Sequence, residues 1–136
     1  MKVNIDWSGE MAFTAEVNGF TLNIDADEKV GGKNTGPRPK PLLLVGLGGC
    51  TSMDVISILG KMRVVPDAFH VEVEAEQTEE HPKYYNKIHL KYIFKGKELP
   101  MEKLEKAVNL SQERYCGVSA MLGKSAEITH EIIIEN

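Results

Sequence analysis

Alternating polar and apolar positions at the start of the chain predict β-strands. Three segments alternate in this way: residues 2–8, 11–17 and 20–25. Gly9-Glu10 and Asn18-Gly19 separate them, and Asn-Gly is typical of the type I′ turn that joins antiparallel strands. The opening of the chain is therefore predicted to be a three-stranded antiparallel meander. Glycines and prolines make residues 26–41 a loop.

Longer alternating segments follow in the second half of the chain. Residues 69–79 and 84–95 predict two antiparallel strands, with an acidic row on the solvated face of the first. Residues 125–134 predict a last strand, with isoleucines and His130 on one face. Together with the meander, these strands indicate antiparallel sheets.

The most apolar stretch of the sequence predicts a long central helix over residues 41–63. Pro41 suits the first position of a helix, and Pro66 follows its end. The stretch is apolar on every side, which is typical of a buried helix. Gly46, Gly48 and Gly49 each weaken a helix, so we expect another group to come close to the backbone there.

Helical spacing of apolar residues predicts a second helix over residues 100–115, closed by Cys116 and Gly117, and residues 118–123 predict one further helical turn. The order βββ-α-ββ-α-β indicates a single α+β domain, 1–136, with helices against antiparallel sheet. A chain this short cannot cover a long helix that is apolar on all faces. We therefore expect a homodimer in which the two central helices lie near each other.

Charge and composition exclude several functions. The net charge is −4, and no basic block is present, which argues against binding to nucleic acid or to an anionic membrane surface. The N-terminus has no apolar signal run, and glycines and Asp54 interrupt the central apolar stretch, so we predict no membrane span and a cytoplasmic protein. In that compartment, two cysteines are more often free or redox-active than permanently bridged.

The histidines and cysteines do not predict a metal site. No histidine lies at a ligand spacing from another histidine or from a cysteine, and the sequence contains no C-x-x-C or H-E-x-x-H. We therefore expect no metal and no other cofactor.

Cys50 is the strongest candidate for chemistry. It lies well inside the central helix, where the helix dipole has faded and where burial raises the pKa of a thiol, so a reactive thiolate needs a cation nearby. The sequence has three arginines, Arg38, Arg63 and Arg114. Arg38, on the proline-stiffened loop before the helix, is our choice, either in the same subunit or from its partner.

Two further residues are candidates beside Cys50. Cys116 is expected at a helix C-terminus, where the dipole disfavours a thiolate, and this suits a resolving thiol better than an attacking one. Asp54 lies one helical turn after Cys50 and on the same face. We expect it to accept hydrogen bonds or to pair with an arginine.

Two segments, LLLVGLGGCTSMDV at 42–55 and RYCGVSAML at 114–122, resemble the OsmC/Ohr family of osmotically inducible and organic hydroperoxide resistance proteins. The likeness is greatest to its YhfA-like branch, and the GPRP loop at 36–39 and the order of elements also match. The resemblance implies an intertwined homodimer with two active sites at its interface. It implies thiol chemistry, with Cys50 as the peroxidatic cysteine and Cys116 as the resolving one.

That resemblance also implies a substrate and a partner. A small organic hydroperoxide would oxidise Cys50 to a sulfenic acid, Cys116 would condense with it to a disulfide, and an external dithiol would reduce the disulfide. The family often has a glutamate nine or ten residues before the first cysteine, where this chain has Pro41 and Lys40. This departure keeps two alternatives open: a protein that binds a small apolar ligand on the same fold, and a redox sensor.

Overall fold

Six β-strands and three α-helices follow one another in a computed structural model that describes residues 1–136. In chain order they are β1 (Asn4–Gly9), β2 (Ala12–Val17), β3 (Phe20–Ile24), α1 (Pro41–Lys61), β4 (Ala68–Gln77), β5 (Tyr85–Lys95), α2 (Met101–Leu110), α3 (Gly117–Leu122) and β6 (Glu127–Glu135). Every predicted strand and both predicted long helices are present. The segment predicted as a single helical turn is the short helix α3. The chain divides into two compact units, residues 1–44 and 45–136.

The first unit contains the predicted antiparallel meander, in the order β1-β2-β3. Asn18 and Gly19 both have positive φ, 52° and 81°, as a type I′ turn requires. The strand register places the apolar residues of all three strands on one face of the sheet, for example in the row Ile5, Ala15 and Leu22. That apolar face is largely uncovered in this chain, since Ile5 is 56% exposed.

The loop after β3 is built around the carboxylate of Asp25. Its oxygens accept hydrogen bonds from the backbone N–H groups of Ala26, Lys33 and Thr35 and from the Thr35 hydroxyl. These bonds, that of the Thr35 hydroxyl above all, lower the pKa of Asp25 to about 2. The sequence predicts no regular structure here, and this is wrong for Glu28–Val30, which form one 3₁₀ turn.

The second unit contains a three-stranded sheet in the order β4-β5-β6. Strands β4 and β5 are antiparallel, as predicted, but β6 runs parallel to β5. The prediction of antiparallel sheets throughout is therefore wrong at β6. The physical reason is the connection: helices α2 and α3 lie between the two strands, and a helical crossover is what joins parallel neighbours. The core combines β5, α1 and α2, with Leu47, Val55, Leu59, Leu90, Tyr92, Phe94, Leu104 and Val108 fully buried.

Helix α1 is buried along one stripe only, as expected for a chain too short to cover all faces of the helix. Leu43, Val45, Met53 and Ile56 are exposed, with Met53 at 76%. The sequence is apolar on both sides of the helix, but the chain supplies packing partners for one of them. By length and composition α1 could also cross a membrane, a test that the core helices of soluble proteins pass as well.

The glycines of α1 meet the chain less closely than the sequence predicts. A Cβ at Gly48 would lie 3.1 Å from a methyl group of Val73 on β4. A Cβ at Gly46 or Gly49 would have no heavy atom within 4 Å. Of these three glycines, only Gly48 permits a close approach within the chain.

Candidate active site

The second unit brings the two cysteines together. The sulfurs of Cys50 and Cys116 and a carboxylate oxygen of Asp54 all lie within 4.8 Å of one another. Both cysteines are free thiols; Cys116 is buried, whereas Cys50 on α1 is partly exposed. A disulfide between them would require the two sulfurs to approach to a bond length of about 2.05 Å.

The end of α2 explains how Cys116 reaches this position. The helix ends at Leu110, and Ser111–Tyr115 form a wider π-helical turn. Cys116 then precedes α3 as its N-cap, where its sulfur accepts a hydrogen bond of 3.3 Å from the Ser119 N–H. The expectation that Cys116 faces only the negative end of a helix dipole is therefore wrong, because the chain starts a new helix at that residue.

The surroundings of Cys50 favour a protonated thiol. Burial raises the pKa of Cys50 most, the hydrogen bond with Cys116 raises it further, and the charge of Asp54 acts in the same direction. A hydrogen bond from the backbone N–H of Val118, in the first turn of α3, opposes them. The chain by itself thus holds Cys50 as a thiol at neutral pH.

A buried network of polar side chains adjoins the sulfurs. Its centre is the Thr51 hydroxyl, which lies 2.7 Å from the Tyr92 hydroxyl and 2.7 Å from the Ser111 hydroxyl. The Gln112 amide donates to Thr51 and to Tyr92, at 3.1 and 2.8 Å. At one end Ser111 donates to Asp54, at 2.9 Å. Burial raises the pKa of Tyr92, so its hydroxyl remains protonated at neutral pH.

The opposite end of this network reaches Cys116. The Ser119 hydroxyl donates to the Gln112 carbonyl at 3.2 Å, and the Ser119 N–H donates to the Cys116 sulfur. No buried polar side-chain atom in residues 1–136 lacks a hydrogen-bond partner. The thiols therefore adjoin a fully bonded polar scaffold in an otherwise apolar core.

The three arginines occupy different surroundings. Arg38 lies in the first unit, where its guanidinium donates to the carbonyls of Asp25 and Gly36 and to the side chain of Asn34. Arg114 lies over the ring of Tyr115, with its guanidinium carbon 5.8 Å from the ring centre. Arg63 follows α1 with a positive φ of 60°. Asp54, expected to accept a hydrogen bond or to pair with an arginine, accepts one from Ser111 and has no ion pair in the chain.

Two thiols and a carboxylate this close together are also a donor set that could share a metal ion. The sequence gives no indication of this set, because its members come from two segments that only the fold joins.

The network itself was not predicted. Two signals in the sequence indicate parts of it: Ser111 continues the buried stripe of α2, and Tyr92 lies on the buried face of β5. A polar residue at a core position requires a partner, but the sequence does not say which residue supplies it.

A family model and a protein from Escherichia coli both match most of this chain. The family model described as OsmC-like protein matches residues 32–131. Protein YhfA from Escherichia coli K12 is 34% identical over 131 residues, which cover 96% of this chain and 95% of YhfA.

Solved structures agree with this result. A hypothetical protein from Aquifex aeolicus VF5 superposes with a TM-score of 0.83 at 33% identity, covering 99% of this chain and 97% of the other. An organic hydroperoxide resistance protein OsmC from Legionella pneumophila superposes with a TM-score of 0.73 at 12% identity, covering 97% of this chain and 95% of the other. The second likeness concerns the fold alone.

Proposed function

This chain belongs to the OsmC-like protein family, and from that premise we propose that it is a thiol-dependent peroxidase that reduces organic hydroperoxides. Cys50 is the attacking thiol and Cys116 the resolving thiol. The observation that carries the proposal is the position of the two free sulfurs, within 4.8 Å of each other although their residues come from different helical segments.

In this proposal the oxidation and reduction steps take place on thiols alone. The Cys50 thiolate attacks the O–O bond of the hydroperoxide, an alcohol leaves after taking up a proton, and Cys50 becomes a sulfenic acid. The Cys116 thiolate then attacks the Cys50 sulfur, and the sulfenic oxygen leaves as water with a proton, which forms the disulfide. An external dithiol reduces the disulfide and returns both thiols.

Arg38 completes the site in this proposal. Because burial and Asp54 raise the pKa of Cys50, a cation is required to stabilise its thiolate. Arg38 is the arginine that we assign to this role. It acts within one subunit or from the partner, and the acceptors of its present hydrogen bonds, two backbone carbonyls and the Asn34 side chain, are neutral groups.

We also propose that the working form is a cytoplasmic homodimer, in which the two units of each chain act as one domain. Supporting the dimer are the exposed apolar residues of α1, such as Val45 and Met53, and the uncovered apolar face of the first sheet. Sedimentation velocity of the wild type should give a dimer. Met53→Lys should shift it toward monomer, whereas Lys61→Met, a charge change of opposite sign on the same helix, should not. A monomeric wild type would contradict the dimer.

A direct test follows the two sulfurs. Protein treated with cumene hydroperoxide should show, by mass spectrometry of peptides, a disulfide between Cys50 and Cys116 and a loss of two hydrogens. Cys116→Ser should instead retain a Cys50 sulfenic acid that dimedone traps, and Cys50→Ser should lose peroxide consumption. Absence of the disulfide in the wild type, or unchanged consumption by Cys50→Ser, would overturn the proposal.

A binding protein on the same fold is the second candidate. The raised pKa of Cys50 and the absence of a glutamate at positions 40 and 41 favour it, because both reduce thiol reactivity. It predicts slow, non-saturable reaction with peroxide and an apolar molecule that copurifies with the protein. A redox sensor, the third candidate, would form the same disulfide without multiple turnover.

A further inference from the structure

Asp54 occupies a position that the reaction scheme above does not use. Its carboxylate lies within 4.8 Å of both sulfurs. One of its oxygens accepts a hydrogen bond from the Ser111 hydroxyl. The carboxylate therefore has an acceptor oxygen close to the two groups that must lose protons during the reaction.

The hydroxyl network fixes the orientation of this carboxylate. Ser111 uses its single proton on Asp54, so the proton between Ser111 and Thr51 must come from Thr51. Thr51 then has no proton left for Tyr92, and Tyr92 must donate to Thr51. Three consecutive hydroxyl groups thus point their protons toward Asp54, and such a chain of donors is cooperative. The arrangement holds Asp54 as an acceptor in one place.

We propose that Asp54 is the proton carrier of the site, taking the proton from each thiol and delivering it to each leaving oxygen. This inference rests on the proposed peroxidase function. The Cys50 proton passes to Asp54 as the thiolate forms, and when the thiolate attacks the O–O bond Asp54 delivers that proton to the departing alkoxide, which leaves as the alcohol. In the second step the Cys116 proton passes by the same carboxylate to the sulfenic oxygen, which leaves as water. Asp54 ends each step ionised, so protons and charge balance.

This role can be separated from a structural role because Asp54 has two opposite effects on Cys50. Its negative charge raises the pKa of Cys50, so removing that charge makes the thiolate more abundant. Alkylation by iodoacetamide requires a thiolate but no proton delivery, and it should become faster. Peroxide reduction requires the delivered proton, and it should become slower.

The experiment compares the wild type with Asp54→Asn, which keeps the shape and the Ser111 hydrogen bond but cannot carry the proton. At pH 7 we expect alkylation of Cys50 to rise by about fourfold, the effect of one unit charge at this distance in a water-like medium. We expect consumption of cumene hydroperoxide to fall by about a hundredfold or more, as for loss of a general acid–base group. Glu113→Gln, which removes an exposed carboxylate from the neighbouring π-helical turn, should change neither rate.

The possible outcomes are distinct. Opposite changes in the two rates support the proton carrier. Equal falls in both rates indicate a structural role, and equal rises indicate a purely electrostatic one; each overturns the inference. If Asp54→Asn does not fold, the test uses Asp54→Ala, in which added formate supplies the missing carboxylate. If formate does not raise the rate of peroxide consumption by Asp54→Ala, the inference is overturned. A wild type that consumes no peroxide defeats the proposed function itself, whereas an active wild type with an equally active Asp54→Asn defeats only the role of Asp54.

Discussion

Replacing Thr51 by valine removes the centre of the buried network without changing the shape of the side chain. Thr51 is fully buried, and its hydroxyl makes hydrogen bonds of 2.7, 2.7 and 3.1 Å to Tyr92, Ser111 and Gln112. Gln112 keeps its second bond, to Tyr92, whereas the Tyr92 proton and one acceptor site of Ser111 lose their partners. At about 1 kcal/mol for each bond, Thr51→Val should lower the free energy of unfolding by about 2–3 kcal/mol.

Thr51→Ser is the matched control, because it keeps the hydroxyl and removes one buried methyl group. That loss should cost about 1 kcal/mol. Urea unfolding of the reduced protein, followed by circular dichroism at one protein concentration, measures both variants. With a slope of about 2 kcal/mol per molar urea, the midpoint of Thr51→Val should fall by about 1–1.5 M and that of Thr51→Ser by about half as much. A Thr51→Val protein that is as stable as Thr51→Ser would refute the account of the network given above.

Two further predictions concern the loop around Asp25. A Cβ at Gly36 would lie 2.3 Å from the backbone oxygen of Asn23, so Gly36→Ala should lower the thermal midpoint of unfolding. Gly60 has open space around it, so Gly60→Ala should not lower the midpoint. Equal midpoints of the two variants would contradict the tight packing of the loop. Because the pKa of Asp25 falls from 3.8 to about 2 on folding, its ionised form stabilises the fold above pH 4, and that contribution should disappear as the pH falls toward 2. Unfolding measured at pH 6 and pH 3 should show a smaller loss of stability with acid in Asp25→Asn than in the wild type, and an unchanged loss would contradict this assignment.

Much of this fold follows from local patterns in the sequence. The alternating pattern predicted every strand, and the Asn18-Gly19 pair predicted a type I′ turn. The apolar run after Pro41 predicted the central helix. Each of these signals depends on residues that are neighbours in the chain, and so does the choice of Cys50 and Asp54 as one helical face. The family motif added the identity of the second cysteine.

Other features depend on residues that are distant in the chain, and only the tertiary structure decided them. Strand β6 is parallel to β5 because two helices intervene, and the apolar pattern of a strand does not encode its direction. Cys116 caps a new helix because the chain turns at Ser111–Tyr115, and its sulfur reaches Cys50 and Asp54 through that turn. Thr51, Tyr92 and Gln112 form hydrogen bonds with one another because three separate elements meet in the core. A periodic pattern can be recognised within one segment, but a hydrogen bond can be predicted only when both partners are identified.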